Sequence, residues 1–239
     1  MGGEAVASQL IVGGVRLMAM FQQYESDDPI ISGELLTRPD VTGSIETFFA
    51  SLDIIDHFAI LDWHLDLSEM LNARCGAKVA INIHNLLVER EEDRGIFLER
   101  IARQSTAVTF EFTETHPMPA VEPSNRMLSR IRESGHRSAL DDFGTGYNGM
   151  SMFTDYDFDI VKFDRSLTAD LTRSSDDLRT IRLLRQMLDE LGKAHVAEGV
   201  ESQEIHRILL DAGFTTFQGY LFHAPRSVDE FINERSIQR

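Results

Sequence analysis

Short apolar runs alternate with amphipathic segments along most of the chain, and the alternation reads as strand, helix, strand. Residues 17–24 and 30–38 are rich in apolar positions and suit strands. The acidic link between them is far shorter than the dozen or more residues that a parallel crossover needs. The two strands are therefore expected to be antiparallel neighbours. A helix follows over residues 45–71, where Phe58, Leu61, Leu65 and Met70 fall roughly at helical spacing. Strands are expected at 79–83 and 108–113, with a helix at 93–103 between them. Pro117, Pro119 and Pro123 mark a loop over 115–125, and Ser124 is a candidate cap for a helix through Arg132. Strands at 136–141 and 158–163 come next. Leu178, Ile181, Leu184, Leu188 and Leu191 share one face of a helix over 175–191. A strand at 194–197, a helix at 203–212, a strand at 215–217 and a helix at 228–233 complete the series.

Eight strands joined this way in 239 residues imply one α/β domain, a TIM-like (β/α)8 barrel with its first strand antiparallel. The competing architecture is an open doubly wound sheet. The barrel is preferred because candidate functional residues end nearly every strand, not only those beside one switch point. Residues 1–14 read as a short leader or N-terminal extension, and 15–239 as the domain.

Composition narrows the function. With 23 Lys and Arg against 39 Asp and Glu, the net charge is −16. Such a field repels duplex nucleic acid and acidic membranes, so an anionic ligand needs local help. The lone Cys75 excludes an internal disulfide and reads as a bystander thiol. No apolar run reaches the length of a membrane span, and the start lacks the basic residues of a signal peptide. A cytoplasmic protein is expected.

The candidate chemistry lies in the carboxylates. Glu34, Glu111, Asp141, Asp142 and Glu198 each fall at or just beyond a strand end, and Asn82, Lys162 and Gln218 end three more. Barrel strand ends of this kind converge on one face. Like charges crowded there raise each other's pKa, and a divalent metal or a pair of them is the simplest compensation. Oxygen-rich ligands suit Mg²⁺ or Mn²⁺. The absence of H-E-x-x-H argues against zinc. Taken singly, each feature has a plainer reading: an Asp-Asp pair as a solvated turn, Glu34 and Arg38 as a surface ion pair, Lys162 as a structural ion pair. Their joint placement favours a metal-dependent hydrolase. Gly144, Gly146 and Gly149 match G-x-G-x-x-G, but two carboxylates just before them would repel a pyrophosphate, so an oxidoreductase is set aside. A kinase is rejected because Asn82 follows Val79-Ala80-Ile81 where lysine is required.

From about Leu17 onward the chain resembles the EAL domain family of cyclic di-GMP phosphodiesterases. The motifs, in order, are Glu34-Leu35-Leu36-Thr37-Arg38, the strand residue Asn82, Glu111 to Glu114, and Asp141 to Tyr147. Lys162 to Asp164, Ala197 to Glu201 and Gln218 to Tyr220 follow. The resemblance implies two ions, Mg²⁺ or Mn²⁺. Glu34, Asn82, Glu111 and Asp141 would hold one; Asp141 would bridge to a second held by Asp142 and Glu198. Lys162 would steady the attacking water, with Glu34 and Glu198 also catalytic. Gln22, Arg38, Asp164 and Gln218 would contact cyclic di-GMP, Arg38 through a phosphate. Glu114 would anchor the loop of Phe143, Gly144, Thr145 and Gly146, which links the site to a homodimer interface, and Glu201 would support it. The implied product is linear pGpG, and the implied setting is bacterial signalling. Departures from the family pattern are Leu35 in place of alanine, Gln23 in place of proline, and Ile83-His84-Asn85 where the family often has a serine and proline. The rival reading is an EAL-like module that binds cyclic di-GMP or a protein partner without turnover.

Overall fold

The computed structural model describes residues 7–26, 31–113, 118–145, 150–168, 171 and 175–237. Its strands are β1 (Gln9–Val12), β2 (Val15–Gln23), β3 (Glu25–Ser26), β4 (Gly33–Pro39), β5 (Val79–Asn82) and β6 (Val108–Thr113). They continue with β7 (Arg137–Phe143), β8 (Ile160–Phe163), β9 (Ala194–Ala197), β10 (Thr216–Phe217) and β11 (Arg226–Ser227). β2 and β4 pair antiparallel from Leu17 with Pro39 to Gln23 with Gly33, as the short link between them requires. β4 to β10 then pair in sequence order, all parallel. β3 continues β2 past Tyr24 and pairs antiparallel with β10, Ser26 opposite Thr216. That last pairing closes the ring. The result is a barrel of eight staves whose first, β2 with β3, runs against the other seven.

Side chains alternate between the two faces of each stave. Leu35, Ile81, Phe110, Leu140, Val161 and Ala197 join the helical layer in the main core, with Leu61, Phe97, Leu128 and Leu188. Ala80, Ala139, Ile160 and Val196 point the other way and share a second cluster with Tyr24 and Ile31. The inward parity that buries these residues also carries Glu34, Asn82, Glu111, Asp141 and Lys162 toward the carboxyl end of the barrel.

Several elements depart from the sequence reading. Within the expected N-terminal extension, residues 9–12 form a strand, paired with β2 through the two-residue turn Gly13-Gly14. Both glycines have positive φ, 56° and 78°, which that kind of hairpin turn demands. The helix expected over 45–71 is two helices, Ile45–Ser51 and Ile54–Cys75. Asp53 starts the second by accepting from the Ile55 and Asp56 amides at 2.9 and 3.0 Å. Ser124 does not cap the helix Val121–Glu133. It lies buried in the first turn and donates to the Pro119 carbonyl at 3.0 Å. Pro123 is tolerated beside it because amides in the first turn have no helical partner. Among the described residues, no helix is long and apolar enough to cross a membrane.

Candidate active site

Lys162 projects from β8 into the lumen and is 1% exposed. Its Nζ lies 2.8 Å from Asp141 Oδ1, 2.8 Å from Glu198 Oε1, 3.0 Å from Glu111 Oε2 and 3.6 Å from Glu34 Oε2. Register explains the convergence. Asn82 is paired with Glu111, Thr113 with Asp141, and Phe163 with Ala197, the residue before Glu198. Each acid thus arrives from a different stave at nearly one height.

The Asp141-Asp142 pair needs more than alternation, since neighbouring strand residues face opposite sides. β7 and β8 lose register between Leu140 and Phe143. Asp142 there has φ 55°, the one positive φ of a non-glycine residue among those described. The irregularity turns Asp142 back toward the site, as bulges beside active sites commonly do. Asp141, Asp142 and Glu198 consequently offer carboxylate oxygens all within 4.8 Å of one another. The Thr113 hydroxyl donates to Asp142 Oδ2 at 3.3 Å.

Polar neighbours fix the other ligand candidates. Asn82 Nδ2 donates to Glu34 Oε1. Gln218 Nε2 donates to Glu34 Oε2 at 2.8 Å and to Gln22 Oε1 at 3.2 Å, and Gln22 donates in turn to the His223 carbonyl at 3.0 Å. The Tyr24 hydroxyl donates to Glu111 Oε1 at 3.3 Å.

Electrostatics mark the cluster as short of cations. Burial pushes the Glu111 carboxyl well up, and Glu34 and Asp141 push it further, against the pull of Lys162. Burial likewise raises Glu198, with Asp141 and Glu34 adding to it against Lys162. Asp142 is pushed up to about 6, by burial first and Asp141 second. Burial would lower Lys162, but Asp141, Glu111, Glu198 and Glu34 together hold it well above its ordinary value. One ammonium has three N–H bonds, and four carboxylates surround it. Glu111 Oε2 and Asp141 Oδ1 are buried within ion-pair range of Nζ yet outside hydrogen-bond geometry, and Gln218 Oε1 is buried with no donor among the described residues. This donor set of carboxylate and amide oxygens fits hard divalent cations.

A cleft of about 280 Å³ opens beside Glu198, lined by Gln22, Asp164, Gln218, Glu201 and Tyr220 among others. Three of the four residues expected to contact substrate therefore meet there. Arg38 does not line it; it is half-buried at the far end of β4, beside the Thr37 carbonyl at 3.5 Å. Asp164 accepts from the Ser166 amide at 2.7 Å, and Glu201 pairs with Arg165 at 2.8 Å. Phe143 packs edge-on against Phe163, ring centroids 5.7 Å apart. Gly144 has φ 111°, and a Cβ there would meet Leu167 at 2.4 Å. The Thr145 hydroxyl donates to the Asp142 carbonyl at 2.9 Å. Glu114 and Gly146, also named from the sequence, lie outside the described residues, as does Gly149. Sequence reasoning missed Tyr24 and Thr113 as partners of the acids. Thr113 sits inside the Glu111 to Glu114 motif, whereas Tyr24 has no local signal beyond an aromatic at a strand end.

The EAL domain family model matches residues 49–225. RocR of Pseudomonas aeruginosa PAO1, named as a cyclic di-GMP phosphodiesterase, is 33% identical over 128 residues, 54% of this chain and 33% of RocR. BlrP1 of Klebsiella pneumoniae, solved as a manganese/cy-diGMP complex, superposes with a TM-score of 0.77 at 25% identity. The match covers 92% of this chain and 58% of that one. An EAL domain protein from Listeria monocytogenes EGD-e superposes with a TM-score of 0.79 at 23% identity over 92% of this chain and 93% of its own, a likeness of fold. The chain spans between 16% and 33% of the length of such curated relatives.

Proposed function

Because the chain belongs to the EAL domain family, we propose that it hydrolyses cyclic di-GMP to linear pGpG with the help of two divalent cations, Mg²⁺ or Mn²⁺. The observation that carries this reading is the ring of buried carboxylates around Lys162 at the carboxyl end of the barrel. Glu34, Asn82, Glu111 and Asp141 would hold one cation, and Asp141, Asp142 and Glu198 the other. Such cations supply water activation near neutral pH and offset charge on the phosphodiester. They also reverse locally the repulsion that a chain of net charge −16 exerts on a dianionic substrate.

The chain's own groups do the rest. Lys162 donates N–H bonds toward the attacking water and orients it. Glu198, whose carboxyl is raised by burial, is suited to take the water's proton. The water oxygen joins phosphorus, the P–O3′ bond breaks, and the 3′-oxygen leaves as a hydroxyl, gaining a proton equivalent to the one Glu198 takes from the water. Gln22, Asp164 and Gln218 hold the nucleotide in the cleft beside Glu198, and Arg38 takes a phosphate from the rim. The loop of Phe143, Gly144, Thr145 and Gly146, with Glu114 and Glu201, couples the site to a homodimer interface. Residues 15–239 form the working unit, which acts in the cytoplasm to lower a signalling dinucleotide.

The test is chromatographic detection of pGpG from cyclic di-GMP with Mg²⁺ or Mn²⁺, beside Glu34→Ala. Product from the natural chain alone supports the reading. Tight binding without product replaces it with a silent receptor module. Neither binding nor product overturns both and leaves a protein-interaction role.

A further inference from the structure

Tyr24 stands at the joint between β2 and β3, where the barrel closes. Gln23 on one side pairs with Gly33 of β4, and Glu25 on the other pairs with Phe217 of β10. The Tyr24 ring is 4% exposed and lies in the lumen with Ile31, Ala80, Ala139, Ile160 and Val196. β5 and β7 contribute only alanine to this layer, and the ring occupies the room they leave. Above it sits the carboxylate cluster. The Tyr24 hydroxyl makes one hydrogen bond to a described residue, donating to Glu111 Oε1 at 3.3 Å. The other oxygen, Oε2, faces Lys162 Nζ at 3.0 Å.

Glu111 is thus gripped differently at its two oxygens. Oε1 meets a neutral donor fixed in the barrel floor, and Oε2 turns toward the charged centre. A neutral donor sets the direction of a carboxylate without cancelling its charge, so the second oxygen keeps its strength as a ligand. At 3.3 Å the contact is longer than an ordinary hydroxyl–carboxylate bond, so its effect is on orientation more than on stability.

We propose that Tyr24 is a positioning residue that aims Glu111 Oε2 at the cation site and so sets how tightly the chain takes a divalent cation. The proposal rests on the metal reading of the site. The experiment is calorimetric titration of the full chain with Mn²⁺, for the natural protein, Tyr24→Phe and Ile31→Val. Phenylalanine keeps the ring and removes only the donor. Ile31→Val loosens the same layer without touching Glu111. Tyr24→Phe is expected to weaken Mn²⁺ binding about tenfold or more, with Ile31→Val unchanged. In turnover assays it raises the Mn²⁺ concentration needed for half-maximal rate, while the rate at saturating Mn²⁺ stays within about twofold. Equal affinity for Tyr24→Phe and the natural chain overturns the proposal. So does equal weakening by both variants, or a Tyr24→Phe chain that does not fold, because each makes the role one of packing. No Mn²⁺ binding by the natural chain overturns the metal reading itself, and this one with it.

Discussion

Lys162 and Glu111 face each other across the barrel lumen with β7 between their strands, Nζ 3.0 Å from Oε2 and neither side chain more than 1% exposed. Removing one partner of a buried ionic cluster costs far more than removing a surface pair, because the remaining charges stay out of water. Lys162→Met is therefore expected to destabilise the cation-free chain by about 3–5 kcal/mol, measured by urea denaturation in chelator. The deficit grows as pH rises, since the carboxylates left behind ionise, and shrinks in acid as they take up protons. The wild-type contribution of Lys162 is present throughout the neutral range, because its raised pKa keeps it charged well past its ordinary value. Added Mn²⁺ restores part of the lost stability.

His64 gives a pH dependence of opposite origin. It lies buried on the inner side of the helix Ile54–Cys75, with Nε2 2.9 Å from the Thr37 hydroxyl and Nδ1 without a partner among the described residues. Burial lowers its pKa from 6.5 to about 4. The unfolded chain therefore binds a proton near pH 6.5 that the folded chain refuses until about pH 4. Stability is full above 6.5 and falls as pH drops through that window, by about 3 kcal/mol for this group. His64→Gln keeps a polar group for Thr37 and does not titrate. Denaturation midpoints from pH 7 to pH 4 should fall less steeply in the variant; parallel curves would show that His64 is not the group responsible.

The fold was legible where pattern and physics coincide. The short acidic link before β4 permits no parallel crossover, and inward parity identifies Glu34, Glu111, Asp141 and Lys162 as neighbours once the barrel is assumed. What escaped had no pattern to show. β3 is two residues long, too short for any periodicity, yet its pairing with β10, the strand expected at 215–217, closes the ring. The break at Asp53 is hidden because apolar spacing continues across it. Asp142 was named from the sequence, but the local loss of register that turns it toward the site is not announced by its identity. Tyr24 is apolar enough to read as ordinary core, and which layer it fills depends on the closed barrel. Arg38 was placed by motif; it lies at the carboxyl end of β4, four residues beyond Glu34, and is not among the residues that line the cleft.

Gly219 tests the packing that holds Gln218 against Glu34. A Cβ at Gly219 would meet the Val200 carbonyl oxygen at 2.1 Å and its nitrogen at 2.4 Å, backbone atoms that cannot rotate away. Gly219→Ala is expected to cost about 3 kcal/mol through forced backbone shifts and to lower turnover by displacing Gln218. Gly43, with nothing within 4 Å of its Cβ direction, is the comparator. Gly43→Ala should stay within about 0.5 kcal/mol of the natural chain. Equal unfolding midpoints for the two variants would contradict the close approach.

Asp142 sets the expected pH dependence of cation binding. Its carboxyl is pushed up to about 6 by burial and by Asp141. A cation and a proton compete for the same oxygens, so below about pH 6 each unit of acid costs this ligand's share of affinity up to about tenfold. Above pH 6 the proton is already gone and that dependence flattens. Mn²⁺ titrations between pH 5 and pH 8, run in buffers of different protonation enthalpy, count the proton released. Asp142→Asn is the control, because asparagine tolerates the positive φ at this position while carrying no acid proton. The variant should bind Mn²⁺ more weakly at pH 7 and release fewer protons near pH 5.5 than the natural chain does. An unchanged proton count would mean that Asp142 is not a ligand and that its raised pKa reflects burial alone.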